Sequence, residues 1–411
     1  MRPAKLIVGS EMGVGNGHIA SLCVIADRYV EQGHSCLFAV PNRQGIYRLR
    51  PQWLAMANVQ VIDCPTWQPR SLEEVRQRPT TSFADILEMS GFTDAETVME
   101  RARWWSQLID RIQPDLVVTE FAPGCTLAAR GRVPVVAIGT GYSILPDVSP
   151  MPCMAFWEPN VPDRCKQIES IILSVMNSCR DQLGLPCLPR VSAVFRGDRV
   201  FPCTFRCFDM YRAVRDEKIY TPIQLEVSAE DKRTEHGVHS KERRGFVYFS
   251  IDHPIFRKTL IMLLAQSQYA CAVYAPEYRD LFRGQSKMGC HEILGAPLDM
   301  KRLGEFAFCV HPGGMGVSTA AAMLRVPQLL VPVSLESLST AYALYQQAAA
   351  VFLMPDRVEA LTHPNEIVAI VGESLRMPLR LDQEFSLAAT ASNETKNAIQ
   401  QAMDEYLGRH H

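Results

Sequence analysis

The chain has 411 residues, too many for one comfortable hydrophobic core and about right for two α/β domains. Apolar residues make up 47 % and charged residues 21 %, an ordinary globular profile, and a net charge of −2 excludes a global basic field for nucleic acid. The thirteen cysteines are scattered, odd in number and without a C-x-x-C pair, which argues for free thiols over a disulfide framework or a zinc site.

In chain order, Lys5–Ser10 reads as a first buried strand and His18–Gln32 as the helix after it. Gly33-His34 stops that helix, Ser35–Val40 is a second strand and Val59–Asp63 a third. Asp94–Gln113 carries Trp104, Trp105, Leu108, Ile109 and Ile112 at helical core spacing, and Pro114 ends it. Asp115–Thr119 and Val133–Gly139 are strands separated by a short helix through Leu127. Tyr142–Pro162 has no period and reads as a loop facing a cleft; Lys166–Leu183 is a helix. Val227–Gly245 is charged and apolar-poor, the best linker in the chain. The pattern then restarts. Strands are expected at Phe246–Ser250, Ala270–Tyr274, Phe306–His311 and Gln328–Pro332, with helices at Pro254–Gln268 and Met315–Leu324. A final helix over Glu384–Leu407 could cross back over the first domain.

The first strand begins within a few residues of Met1, so no signal peptide is expected, and no apolar run approaches the roughly 20 residues of a spanning helix. A cytoplasmic protein is expected. Arg43, Arg48 and Arg50 with Trp53 would suit a peripheral face against the inner membrane, and would equally suit a solvated loop.

Two glycine-rich corners carry the chemistry. Gly13-Val14-Gly15-Asn16-Gly17-His18 follows the first strand and opens the first helix. Glycine lets the backbone turn tightly and approach a ligand, and the helix start offers N–H groups. The alternating spacing is not the dinucleotide pattern, and Val40-Pro41-Asn42 puts no acid at the tip of the second strand, which disfavours a nicotinamide enzyme. His18 stands at the end of this turn, either as a functional group or as a histidine satisfying local backbone. The second corner is His311-Pro312-Gly313-Gly314-Met315-Gly316-Val317-Ser318, where backbone donors, a histidine and a helix dipole suit a pyrophosphate. A plain tight turn is the alternative. Pro327–Pro332 then leads to Ser334-Leu335-Glu336-Ser337 beyond a strand end, a position that borders the ligand crevice in open sheets.

GNGHIASLCVIADRYVEQGH, followed far downstream by VHPGGMGVSTAAAMLRVPQLLVPVSLES, resembles the glycosyltransferase-B superfamily, and within it the UDP- and dTDP-sugar-dependent family-1 enzymes. The likeness spans nearly the whole chain, although nothing is recognised between about Tyr142 and Gly245, where such enzymes bind acceptors. It implies two Rossmann-like domains with a cleft between them: residues 1–235 for the acceptor, 236–385 for the nucleotide sugar, and 386–411 a helix crossing back. It also implies an inverting, metal-independent transfer from a nucleoside-diphosphate sugar, UDP or dTDP, to a hydroxyl of a small molecule, lipid or glycan, with no cofactor.

Position by position, His18 matches the family's general base and Glu120 its orienting acid, where the family more often has aspartate. His311, Gly313, Gly314 and Gly316 match the diphosphate cradle, with Ser250 as a second phosphate contact. Asp252 with Pro254 is equally a plain helix cap. Gly15 and Gly17 belong to the acceptor and phosphate loop. Glu336 and Ser337 stand where the family holds the donor sugar with Asp-Gln, so the sugar need not be glucose. Asp299 lies where the family covers the base. Pro312 replaces a second histidine. Two rivals keep the fold: a non-catalytic transferase-like binding protein, and a sugar-nucleotide 2-epimerase, which would need more cleft carboxylates than Glu120 and Glu336.

Overall fold

Four of the first six strands, KLIVG, SCLFAV, LVVT and VVAIG, are mainly apolar runs with little alternation, the composition that a sheet covered on both faces requires. The computed structural model describes residues 3–13, 17–67, 80–155, 157–223, 244–380 and 383–408. The chain divides into two units, Met1–Gln224 with Asn393–His411, and Leu225–Ser392. Most of the expected linker, and Gly15 in the first glycine corner, lie outside the described residues.

The first unit runs β1 (Lys5–Gly9), α1 (Gly17–Glu31), β2 (Ser35–Val40), α2 (Arg43–Leu49), β3 (Val59–Asp63), α3 (Phe83–Met89), α4 (Ala95–Ile112), β4 (Leu116–Thr119), α5 (Pro123–Ala129), β5 (Val135–Gly139), α6 (Asp163–Gln182) and β6 (Arg199–Pro202). All its strand pairs are parallel, in the order β3-β2-β1-β4-β5-β6, the Rossmann order. The apolar stripe of α1, from Ile19 to Val30, covers one face. Trp105, Leu108 and Ile109 of α4 cover the other against Ile7, Leu37 and Val117. Asp94 caps α4 by accepting from Thr97 N at 3.2 Å.

The second unit contains β7 (Gly245–Tyr248), α7 (Pro254–Ala265), β8 (Cys271–Tyr274), α8 (Arg279–Phe282), β9 (Lys287–Met288), β10 (His291–Ile293), β11 (Phe308–His311), α9 (Met315–Met323), β12 (Gln328–Leu330), α10 (Leu335–Gln346), β13 (Ala350–Phe352), α11 (Pro355–Ala360) and α12 (Pro364–Ser374). Its sheet order is β13-β12-β11-β7-β8-β10-β9, parallel except for the last pair. The final helix, α13 (Gln383–Gly408), buries Ile399, Ala402 and Met403 in the core of the first unit. There Asp404 accepts from Tyr29 Oη at 2.9 Å and pairs with Arg28 at 2.9 Å.

Three local expectations are corrected. The cap of α7 is His253, whose ring accepts from Ile255 N at 3.2 Å, and not Asp252. Strand β7 stops at Tyr248, so Ser250 lies two residues beyond it. In the basic patch near Arg50, the indole of Trp53 does not face outward. Trp53 is buried against Phe38, with ring centres 4.8 Å apart, and Arg50 and Arg43 pair with Asp27 and Asp63 at 2.7 and 3.5 Å. Among the described residues no helix is long and apolar enough to cross a membrane.

Candidate active site

Strand order reverses between β1 and β4, and at such a point the loops leaving the two strands part to opposite faces and open a crevice. The loop after β1 leads to His18 in the first turn of α1, and the residue after β4 is Glu120. Their side chains meet. His18 Nδ1 lies 2.6 Å from Glu120 Oε2, with the imidazole 14 % exposed and the carboxylate 1 %. The other carboxylate oxygen accepts from Ser143 Oγ at 3.0 Å, and that hydroxyl in turn accepts from Thr140 N at 3.0 Å. Gly139 makes room for this relay, because a Cβ there would lie 2.3 Å from Ser143 Oγ. Behind it, the wholly buried Arg215 binds Asp209 at 2.7 Å and the carbonyls of Gly141 and Ile144, which fixes the loop that carries Ser143.

The imidazole rests on backbone. Gly13 has φ +96°, and a Cβ on it would lie 2.2 Å from His18 Cδ2 and 2.3 Å from Nε2, so only glycine fits under the ring. Gly17, the first residue of α1, has open space where a Cβ would be.

Glu11 adds an acid that nothing in the local sequence marks. Its carboxylate, 3 % exposed, accepts from Trp105 Nε1 and Gly124 N at 2.5 Å each and from Cys125 N at 3.3 Å. It therefore occupies the start of α5. Burial pushes its carboxyl up to about 7, against the opposing pull of the Trp105 and Gly124 donors. The backbone of the same segment is tied as well: Glu11 N and Met12 N donate to the carbonyl of Phe121 at 3.3 and 3.0 Å. Phe121 follows Glu120 and holds a left-handed φ of 51°. Rings of Phe83, Tyr142, Phe195 and His18 surround it at 5.6–6.0 Å, packing that offsets the backbone cost.

In the second unit the reversal falls between β7 and β11, so Ser250 and the His311–Gly316 corner leave adjacent strands at one sheet end. Gly313, at φ +98°, leaves little room for a side chain: a Cβ would stand 3.0 Å from Ser337 O and 3.1 Å from Leu330 Cδ2. Gly314 and Gly316 are exposed and face open space. Gly314 is the N-cap of α9 and has no side chain to bond the first-turn amides, which are left for an incoming acceptor.

His311 departs from its expected part. Gly313 N donates to its Nδ1 at 3.2 Å, so the ring proton is assigned to Nε2, which lies 3.0 Å from Gln328 Oε1. The ring is fully buried, and burial lowers its pKa to about 4. It is a neutral brace inside the corner, with no donor left for a phosphate. Ser337 is committed too, as half of a capping box with Ser334. Glu336 is half-buried in the first turn of α10, and Asp299 caps a short 3-10 helix through Lys301 N at 3.0 Å. Among the described residues no cluster of His, Cys, Asp and Glu could hold a metal ion.

No protein-family model matches the chain, and no curated protein does. Solved structures do. The glycotransferase of kitacinnamycin is 14 % identical with a TM-score of 0.67, and the match covers 99 % of this chain and 100 % of that one. CalG4, the calicheamicin glycosyltransferase, is 15 % identical with a TM-score of 0.64, covering 100 % and 99 %. The rhamnosyltransferase SpnG with thymidine diphosphate is 14 % identical with a TM-score of 0.61, covering 98 % and 99 %. This chain has the GT-B fold. Within that fold the switch point of the first sheet holds the His18–Glu120 pair, and that of the second holds the glycine corner.

Proposed function

We propose that the protein is an inverting glycosyltransferase that uses a nucleoside-diphosphate sugar, UDP- or dTDP-linked, and a hydroxyl acceptor. The observation that carries this is the 2.6 Å contact between His18 Nδ1 and the buried Glu120 in a chain of this fold. A carboxylate at Nδ1 holds the proton there, so that Nε2 can take another, and stabilises the imidazolium that results. His18 Nε2 takes the acceptor's O–H proton while that oxygen attacks the anomeric carbon. The bond from that carbon to the phosphate oxygen breaks, and its electron pair leaves with the nucleoside diphosphate.

The uncapped amides of α9 and the open ground at Gly314 and Gly316 suit that leaving charge without a metal. The cradle is therefore assigned to backbone amides, with His311 shaping the corner from beneath. Two structures of this fold contain the nucleotide, VinC with dTDP and SpnG with thymidine diphosphate, and SpnG has also been solved with spinosyn aglycone. A thymidine or uridine diphosphate sugar and a small aglycone are the matching substrates here.

Calorimetric titration with UDP, dTDP, GDP and ADP tests the donor site. Binding of one pyrimidine diphosphate that survives His18→Ala, with loss of transfer, is the expected result. No binding by any of the four would overturn the donor assignment. Binding with no transfer to any hydroxyl acceptor would favour the non-catalytic reading.

A further inference from the structure

We infer that Glu11 is a positioning residue for the His18 base: its buried carboxylate ties the loop after β1 to α4 and α5, and so holds Gly13 where the imidazole must rest to meet Glu120. The role of the pair rests on the function proposed above; the coupling itself does not.

The seat is built for this side chain. Trp105 supplies the indole donor from α4, and Gly124 and Cys125 supply two amides from α5. Gly124 leaves the space, since a Cβ there would lie 2.5 Å from Glu11 Oε1. A carboxylate is an expensive way to fill a core position that an apolar residue of similar volume would fill at less cost. What it adds is direction. Three donors converge on one headgroup, while the backbone N–H groups of Glu11 and Met12 converge on the Phe121 carbonyl. Ser10 is held on both sides, with its N–H on Ala39 O at 3.1 Å and its carbonyl accepting from Cys64 Sγ at 3.2 Å.

Side chain and backbone therefore clamp the segment Ser10–Met12 to α4, α5 and the residue beside Glu120. The next residue, Gly13, is the surface on which the His18 ring lies. Release of the carboxylate would leave that surface held by the backbone bonds and the Cys64 Sγ contact to Ser10. From the 2.6 Å contact, a displacement of about an ångström there carries the ring out of hydrogen-bond range of Glu120. Glu11 takes no part in the chemistry itself. At 3 % exposure its carboxylate is almost closed to solvent, and its hydrogen bonds go to Trp105, Gly124 and Cys125.

The test uses the full-length protein and reads His18 directly, through the ring Cε1–H signal in a histidine-resolved NMR spectrum, assigned with His18→Gln. Glu11→Ala and Trp105→Phe are expected to shift or split the His18 signal, as Glu120→Gln does, while the signals of His291, His311 and His363 hold. Transfer should fall about 10-fold in kcat with donor KM changed by less than about twofold. Glu11→Gln, which keeps one acceptor oxygen, should recover part of both effects. A folded Glu11→Ala protein with an unmoved His18 signal overturns the inference. So does a Glu11→Gln protein as impaired as Glu11→Ala. If Glu11→Ala does not fold, Trp105→Phe decides on the same criterion, because it removes one donor and keeps an aromatic ring in place. If the wild type neither binds a nucleotide nor transfers a sugar, the proposed function fails, and the His18 signal still judges the coupling.

Discussion

The corner after β1 and the corner after β11 have the same layout, strand to glycine-rich turn to helix, yet they handle charge in opposite ways. The first is built from side chains: a histidine on a buried glutamate, that glutamate on a serine, and a second buried acid locking the turn. The second is built from backbone. Its histidine is neutral and turned inward, and its exposed groups are glycines and helix amides. A proton acceptor needs a neighbour that fixes one tautomer and stabilises the cation formed, and a buried carboxylate does both. An anion needs several convergent donors, and a helix start already has them.

The largest effect should come from His18→Ala, with transfer lowered by about 10²–10⁴ and calorimetric nucleotide affinity retained. Loss of both together would break the division between the corners.

Next come opposite pH slopes. Glu11, raised from 4.5 to about 7 by burial, contributes stability below its unfolded value and loses it as pH climbs through about 7. His311, lowered from 6.5 to about 4, contributes fully above its unfolded value and loses that as pH falls toward 4. Each amounts to about 3 kcal/mol across its window. Hydrogen exchange followed by unit from pH 4 to 7 should show Glu11→Gln removing the negative slope in the first sheet and His311→Asn the positive one in the second. Equal slopes in both sheets would refute the contrast.

Gly313→Ala must fit a side chain at φ +98° and 3.0 Å from Ser337 O, and should cost about 1–2 kcal/mol in thermal unfolding while weakening nucleotide binding. The smallest effect is expected for Ser143→Ala, which removes one hydrogen bond from a buried carboxylate. Its kcat should drop about 5–10-fold, a loss of about 1 kcal/mol, with donor affinity unchanged. An unchanged kcat would show that Glu120 is oriented without it.

Much of the scaffold was legible because it depends on local pattern. The β2 and β3 spans match residue for residue, and the helix over 95–112 lies within one residue of its reading at each end, with Asp94 as its cap. Both glycine corners follow strands, as their spacing implies. The supports of the site were not legible. Glu11 lies 94 residues from Trp105 and 113 from Gly124, and only the sheet order makes them neighbours. Ser143 and Arg215 sit in a stretch with no period, where backbone carbonyls and single side chains replace regular elements. Trp53 was ambiguous for a different reason: three arginines around it suggested a surface, but short-range pairing with Asp27 and Asp63 lets the indole turn inward. His311 shows a third kind of limit. Sequence identifies a histidine beside glycines, but which way the ring faces is decided by Gln328 on the next strand.

The last helix has a consequence for how the molecule is made. Ile399, Ala402 and Met403 complete the hydrophobic layer over α1, and Tyr29 Oη on that helix waits for Asp404 and the Gln400 carbonyl. On a ribosome these residues emerge after the entire second unit has been translated. The patch of the first core that these three residues cover must stay open through that interval, or be sheltered by a chaperone. The second unit can finish folding as it appears; the first, although it is synthesised earlier, closes last.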